Sequence, residues 1–142
     1  MTLYLSKYDR IFLLNKTNKN IKMTTEEGKI IVNEALARRL NETLKLLKEE
    51  PEKAKLLTSL IVSTPDTCGG RLRIINRRLT LDLILYAISH DEEDYLFNDY
   101  GLSQDEVDSA LVKTCLYNKL DSIENVEIGH KLKVPEIPEV AC

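Results

Sequence analysis

Apolar and polar positions change period several times along this chain, and each change marks an element. From Val32 through Ala35, Leu36, Leu40, Leu44 and Leu47 the apolar residues return every three or four positions, with Arg39 on the same stripe. That spacing predicts an amphipathic helix. Thr24-Thr25-Glu26-Glu27 reads as its start, because Glu27 lies three after Thr24 as in a capping box. Glu50-Pro51-Glu52 interrupts the stripe and opens a second helix with Pro in its first turn, and Leu56, Leu57, Leu60 and Ile61 supply the apolar face.

The period then shortens. Leu72 and Ile74 alternate with Arg71 and Arg73, which predicts a half-buried strand. Gly69 and Gly70 precede it as a structural turn, since adjacent glycines permit positive φ. Thr80 stands as N-cap to Leu81, Leu83, Ile84, Tyr86, Ala87 and Ile88. Three helices are expected, at roughly 80 to 89, 92 to 99 and 104 to 117. Ser103 and Glu106 form a capping box for the last, and Tyr100-Gly101-Leu102 links it to its predecessor. Helix, glycine-containing turn and helix follow the arithmetic of a helix-turn-helix pair. Beyond Asp121, Val126-Glu127-Ile128 and Leu132-Lys133-Val134 alternate like two short strands paired across Gly129-His130, and Pro135 and Pro138 then end regular structure.

These segments divide the chain into a basic N-terminal arm or extension (1–22), a helical arm (23–62), a helix-turn-helix-like domain (63–120) and an extended tail (121–142). The fold class expected is mainly α, a three-helix domain with a short leading β-strand, preceded by an amphipathic helical arm. In residues 1–22, Lys7, Arg10, Lys16, Lys19 and Lys22 face Asp9 alone, although the whole chain carries a net charge of −3. The apolar run from Tyr8 to Leu14 followed by Asn15–Asn20 leaves three readings open: a marginal hairpin, a loosely ordered arm, or an extension ahead of a natural start at Met23.

Composition narrows the function classes. With aromatics at 6% and no Trp, the stacking platforms used on single-stranded nucleic acid are scarce. Cys68, Cys115 and Cys142 are an odd set without C-x-x-C spacing, which predicts a reducing cytoplasm rather than a disulfide framework or zinc site. Ile11–Leu14 is too short for a signal segment, and no stretch has transmembrane length, so no membrane role is expected.

The dense basic cluster in the body of the chain is Arg71, Arg73, Arg77 and Arg78. Planar guanidinium groups suit phosphate or carboxylate, so these four are the candidate nucleic-acid-binding residues. The competing reading pairs them with the chain's own acids, including Asp82 and the Asp91–Asp94 run. His90-Asp91-Glu92-Glu93-Asp94 has the residue types of a metal site but reads as acids capping a helix N-terminus. No nucleophile–base arrangement is visible around His90, His130 or Cys68, so no catalytic residue, metal or cofactor is assigned. The helix at 104 to 117 opens with Gln104, Asp105, Glu106 and Asp108, a poor surface for phosphates, which shifts weight to the arginine strand.

The run Thr64-Pro65-Asp66, Cys68-Gly69-Gly70-Arg71-Leu72-Arg73-Ile74 and Arg78-Leu79-Thr80 resembles the opening of the bacterial domain of unknown function 433. Glu92-Glu93, Tyr100, Leu102, Glu106-Val107 and Ala110-Leu111 are similar to its later helices, so the resemblance covers roughly 59 to 120. Two departures stand out. Asn76-Arg77 occupies the place of the family's Gly-Thr, where Asn tolerates left-handed φ. A glycine common between the first two helices is replaced near Ser89-His90. The resemblance implies a small helix-turn-helix-like domain, often a homodimer, that accompanies a PIN-like nuclease as its antitoxin and binds DNA for autoregulation. The expectation is therefore a non-enzymatic, cytoplasmic binding protein; the alternative is a structural or oligomerisation module with no nucleic-acid role.

Overall fold

A computed structural model describes residues 29–66 and 70–135. Strand β1 (Lys29–Ile31) leads into helices α1 (Glu34–Glu49) and α2 (Pro51–Thr58), followed by strands β2 (Ile61–Val62) and β3 (Arg73–Ile74). Helices α3 (Leu81–Ser89), α4 (Glu93–Asn98) and α5 (Gln104–Tyr117) come next, then a 3-10 turn at Leu120–Ser122 and strand β4 (Lys131–Lys133). The protein is mainly helical, with a short strand leading into the three-helix module.

Helix α1 follows its apolar stripe but starts later than the Thr24–Glu27 pattern predicts, a pattern that lies outside the described residues. Asn33 is the N-cap, its side chain accepting from the Leu36 amide at 3.0 Å. The preceding residues are drawn into β1 instead, and a strand backbone and a helix backbone exclude one another there. Leu36, Leu40 and Leu44 are buried along α1, and Pro51 begins α2 at a position where its missing N–H costs nothing.

The helices before the module do not stand apart from it. One apolar core runs from Ile30 to Val134 and takes in Leu36, Leu40, Ile74, Ile84, Leu96 and Leu111. Helices α1 and α2 both pack along α5, while α3 packs on α1, α4 and α5. The tail joins the same core. Residues 126–128 do not pair with 132–134; β4 pairs antiparallel with β1, in the register Lys29–Lys133, Ile30–Leu132, Ile31–Lys131. Leu132 is thereby fully buried. Gly129, at φ 93°, makes the turn into β4 and donates its N–H to Val32 O at 2.7 Å.

The bend after α3 contains no glycine. Asp91 takes the left-handed conformation (φ 56°), Glu92 N–H donates to Ala87 O at 2.8 Å, and Asp91 N–H to Ile88 O at 3.1 Å. This is a Schellman motif with an aspartate where glycine is usual. Two substitutions isolate its backbone cost, because both remove the same carboxylate. Asp91→Gly is expected to be about 1 kcal/mol more stable than Asp91→Ala in urea unfolding; equal stabilities would refute the left-handed assignment.

Candidate nucleic-acid interface at the arginine hairpin

Strand β3 is short because it is hemmed in on both sides. On one edge it pairs antiparallel with β2 (Ile61–Ile74, Val62–Arg73), and Ile75 N–H donates to Leu60 O at 2.7 Å. On the other the chain folds straight back, so that Arg73 bridges Thr80 and Ile74 N–H reaches Leu79 O at 3.0 Å. Asn76 makes the reversal with φ 64°, the left-handed geometry expected of it, and Arg77 N–H closes the turn on Ile74 O at 3.1 Å. Gly70 also has positive φ (80°), which a Cβ would oppose. Gly69 and Cys68 lie outside the described residues.

The hairpin separates the four arginines by role. Leu72 and Ile74 turn into the core, and Arg73 beside them is drawn partly inward. Its guanidinium donates to Thr64 Oγ1 (2.8 Å), Arg77 O (3.1 Å) and Ile74 O (3.2 Å), stapling both ends of the hairpin; its Nε is buried without an acceptor. Arg77 reaches across to the start of α5. It donates to both Glu106 carboxylate oxygens (2.7 and 3.2 Å) and to the carbonyls of Tyr100 and Gly101, each at 2.9 Å. Arg71 is half-exposed, with a loose contact to Asp82 at 3.9 Å. Arg78 is exposed at the turn. Arg73 and Arg77 thus hold the fold, while Arg71 and Arg78 are exposed.

Glu106 belongs to two structures at once. It completes the predicted capping box, accepting from Ser103 N–H at 3.0 Å while its own N–H donates to Ser103 Oγ at 3.2 Å. Burial pushes its carboxyl up, but the hydrogen bonds and charge of Arg77 together with the Ser103 bonds outweigh burial and hold it below the usual carboxylate range. A carboxylate depressed in the folded state stabilises the protein above its unfolded pKa, and that contribution is lost as pH falls through the folded value. Wild type should therefore lose stability more steeply below pH 4.5 than Glu106→Gln does. Arg77→Ala is expected to cost about 1–3 kcal/mol, because the Glu106 carboxylate and two carbonyls lose their donor. Arg77→Lys should not restore it, lacking the fork. Urea titrations at acid and neutral pH measure both effects.

Arg39 is the residue whose role the sequence conceals. It sits on the apolar stripe of α1 and gathers three acids: Glu42 at 2.6 Å, Glu93 at 2.9 Å and Asp108 at 2.9 Å. Burial lowers its pKa, the carboxylates more than compensate, and the guanidinium stays charged. The signal was a charge at a core-facing helical position. An open polar cleft of about 540 Å³ lies beside it, bordered by Arg38, Glu42, Asp91, Gln104 and Asp108.

Three residues of the acidic run have a structural place, none as a side-chain cap of α4. Asp91 makes the bend, Glu92 is the N-cap of α4, and Glu93 pairs with Arg39. Among the described residues no group of three or more His, Cys, Asp or Glu is placed to hold a metal. His90 stacks on Tyr86 with ring centroids 4.0 Å apart, and its Nδ1 lies 3.0 Å from Tyr86 O. Cys115 is fully buried, and burial, with Asp121 nearby, pushes its thiol up to about 12. The unfolded thiol ionises near 9.0, so alkali favours the unfolded chain progressively between there and about 12. The stability of wild type should fall relative to Cys115→Ala by about 1.4 kcal/mol per pH unit in that window. A parallel pH dependence of the two proteins would contradict the burial argument.

Residues 61–112, from β2 into α5, match the family model described as Protein of unknown function (DUF433). The resemblance carried by the Gly-Gly-Arg-Leu-Arg run thus holds for this stretch, which is under half of the chain. No curated protein and no solved structure matches the sequence.

Proposed function

We propose that this protein is a non-enzymatic binding protein of the antitoxin type, a homodimer that holds a PIN-like nuclease partner and contacts DNA for autoregulation. The observation that carries the reading is the division of labour at the hairpin. Arg73 and Arg77 fix its shape, and Arg71 stands half-exposed on its surface. A rigid, short hairpin presenting guanidinium groups fits the strand-based mode of DNA contact. It also fits recognition of carboxylates on a protein partner. The titratable groups of the module support binding over catalysis: Glu93, Glu106 and Asp108 are engaged in ion pairs, and the Cys115 thiol is shielded. The antitoxin role itself comes from the family resemblance.

A second reading, an oligomerisation module without nucleic-acid contact, has its own observation. Leu56 on α2 is 71% exposed, and Leu116 on α5 is 39% exposed beside a shallow groove bordered by Leu47, Pro51 and Ala54. Unpaired large apolar side chains on adjacent helices suit a self-association face.

Co-expression with a PIN-like nuclease separates the two readings. The expected outcome is a co-purifying complex, weakened by Arg71→Glu/Arg78→Glu, and a dimer by light scattering that Leu56→Glu/Leu116→Glu converts to monomer. A dimer that captures neither nuclease nor DNA supports the second reading. A monomer that binds neither sinks both.

A further inference from the structure

The pairing of β1 with β4 brings together charges from opposite ends of the described chain. In the antiparallel register Lys29 faces Lys133 and Ile31 faces Lys131, while Ile30 and Leu132 fill the alternate positions and are buried. Residues directly opposite in a strand pair project from the same side of the sheet. Lys29, Lys131, Lys133 and Ile31 therefore share the outer face of this ribbon, and no acid belongs to either strand. Ile31, Lys131 and Lys133 are exposed. Among the described residues neither Lys131 nor Lys133 has an ion-pair partner.

The ribbon is held firmly enough to present these charges in a fixed spacing. Asn118, at the end of α5, clasps the peptide of Lys133 from both sides: its Nδ2 donates to Lys133 O and its Oδ1 accepts from Lys133 N–H, each at 2.8 Å. The next residue, Lys119, is exposed and adds a further cation beside the ribbon. At the other end Val32 N–H donates to His130 O at 2.8 Å, where His130 is exposed. Glu127 opens the turn, and its carbonyl accepts from His130 N–H at 3.2 Å. Alternate residues of a strand lie roughly 7 Å apart, so Lys131 and Lys133 form a row of cations rather than a point.

We infer that the outer face of the β1–β4 ribbon is a phosphate-backbone contact for duplex nucleic acid, lying outside the segment matched to the family. It rests on the nucleic-acid part of the reading above and adds a sequence-independent clamp to the arginine hairpin. Lys131 and Lys133, on one face with no carboxylate between them, are complementary to the evenly spaced charges of a phosphodiester chain. Such contacts supply affinity and salt dependence without selecting bases.

The test is fluorescence anisotropy of the full chain with a labelled duplex of arbitrary sequence, titrated between about 50 and 200 mM salt. Lys131→Ala/Lys133→Ala is expected to reduce the slope of log K against log salt by about 1.8 and to weaken low-salt binding roughly tenfold or more. Lys131→Arg/Lys133→Arg should keep both, and unchanged thermal midpoints show that the variants fold. If the alanine pair leaves the slope intact while Arg71→Ala/Arg78→Ala lowers it, the ribbon assignment falls and the hairpin reading stands. If wild type shows no salt-dependent duplex binding, both nucleic-acid assignments fall. Binding to phosphatidylserine-rich vesicles but not to duplex would likewise overturn the inference, assigning the lysines and Ile31 to a lipid surface instead.

Discussion

Burial of α5 on nearly all sides is the constraint on which the rest of the structure depends. Val107, Ser109, Ala110, Leu111, Val112, Thr114 and Cys115 are all buried within its fourteen residues. A helix in that position has to be wrapped, and α1, α2 and α3 do the wrapping. Its polar groups cannot be left to water either, so Thr114 Oγ1 returns its hydrogen bond to Ala110 O at 2.8 Å and Ser109 Oγ to Glu106 O at 2.6 Å. The arrangement explains why the helices ahead of the family segment pack against it, α1 in the main core and α2 through a smaller cluster of Ala54 and Leu57 with Val112. Without α1 and α2, one flank of α5 would stand in solvent with its apolar side chains exposed.

The two arginine clamps follow from the same constraint. The first turns of α5 carry Asp105, Glu106 and Asp108, which favours the positive end of the helix dipole. Packing brings two of these carboxylates against protein, where an unpaired charge is costly. Arg77 takes Glu106 and Arg39 takes Asp108. The acids that make α5 a poor surface for phosphates are thus sockets that lock the hairpin and α1 onto it.

Cations at the surface are therefore informative because so many others are spent inside. Arg39, Arg73 and Arg77 each satisfy three or four acceptors within the protein. Arg71 on the hairpin and Lys131 and Lys133 on the ribbon do not. The proposed binding role thus divides between a guanidinium-bearing hairpin inside the family segment and a lysine ribbon outside it.

Local chemistry in the sequence determined the elements whose causes are local. The Ser103–Glu106 capping box, Pro51 at the head of α2, the helical spacing from Leu81 to Ile88, and left-handed Asn76 each depend on residues within a few positions of one another. The start of α1 escaped that logic because Ile30 gains more from the core as a strand residue paired with Leu132 than as a helical turn. The true partners of the arginines escaped it as well. Arg77 finds Glu106 and Arg39 finds Glu93 and Asp108 only after the helices have packed. Asp82 near Arg71 was the exception, close enough in sequence to be expected. The ribbon that unites Lys29 with Lys131 and Lys133 was decided wholly by tertiary structure, since hydrogen bonding between distant strands sets a register that no local pattern encodes.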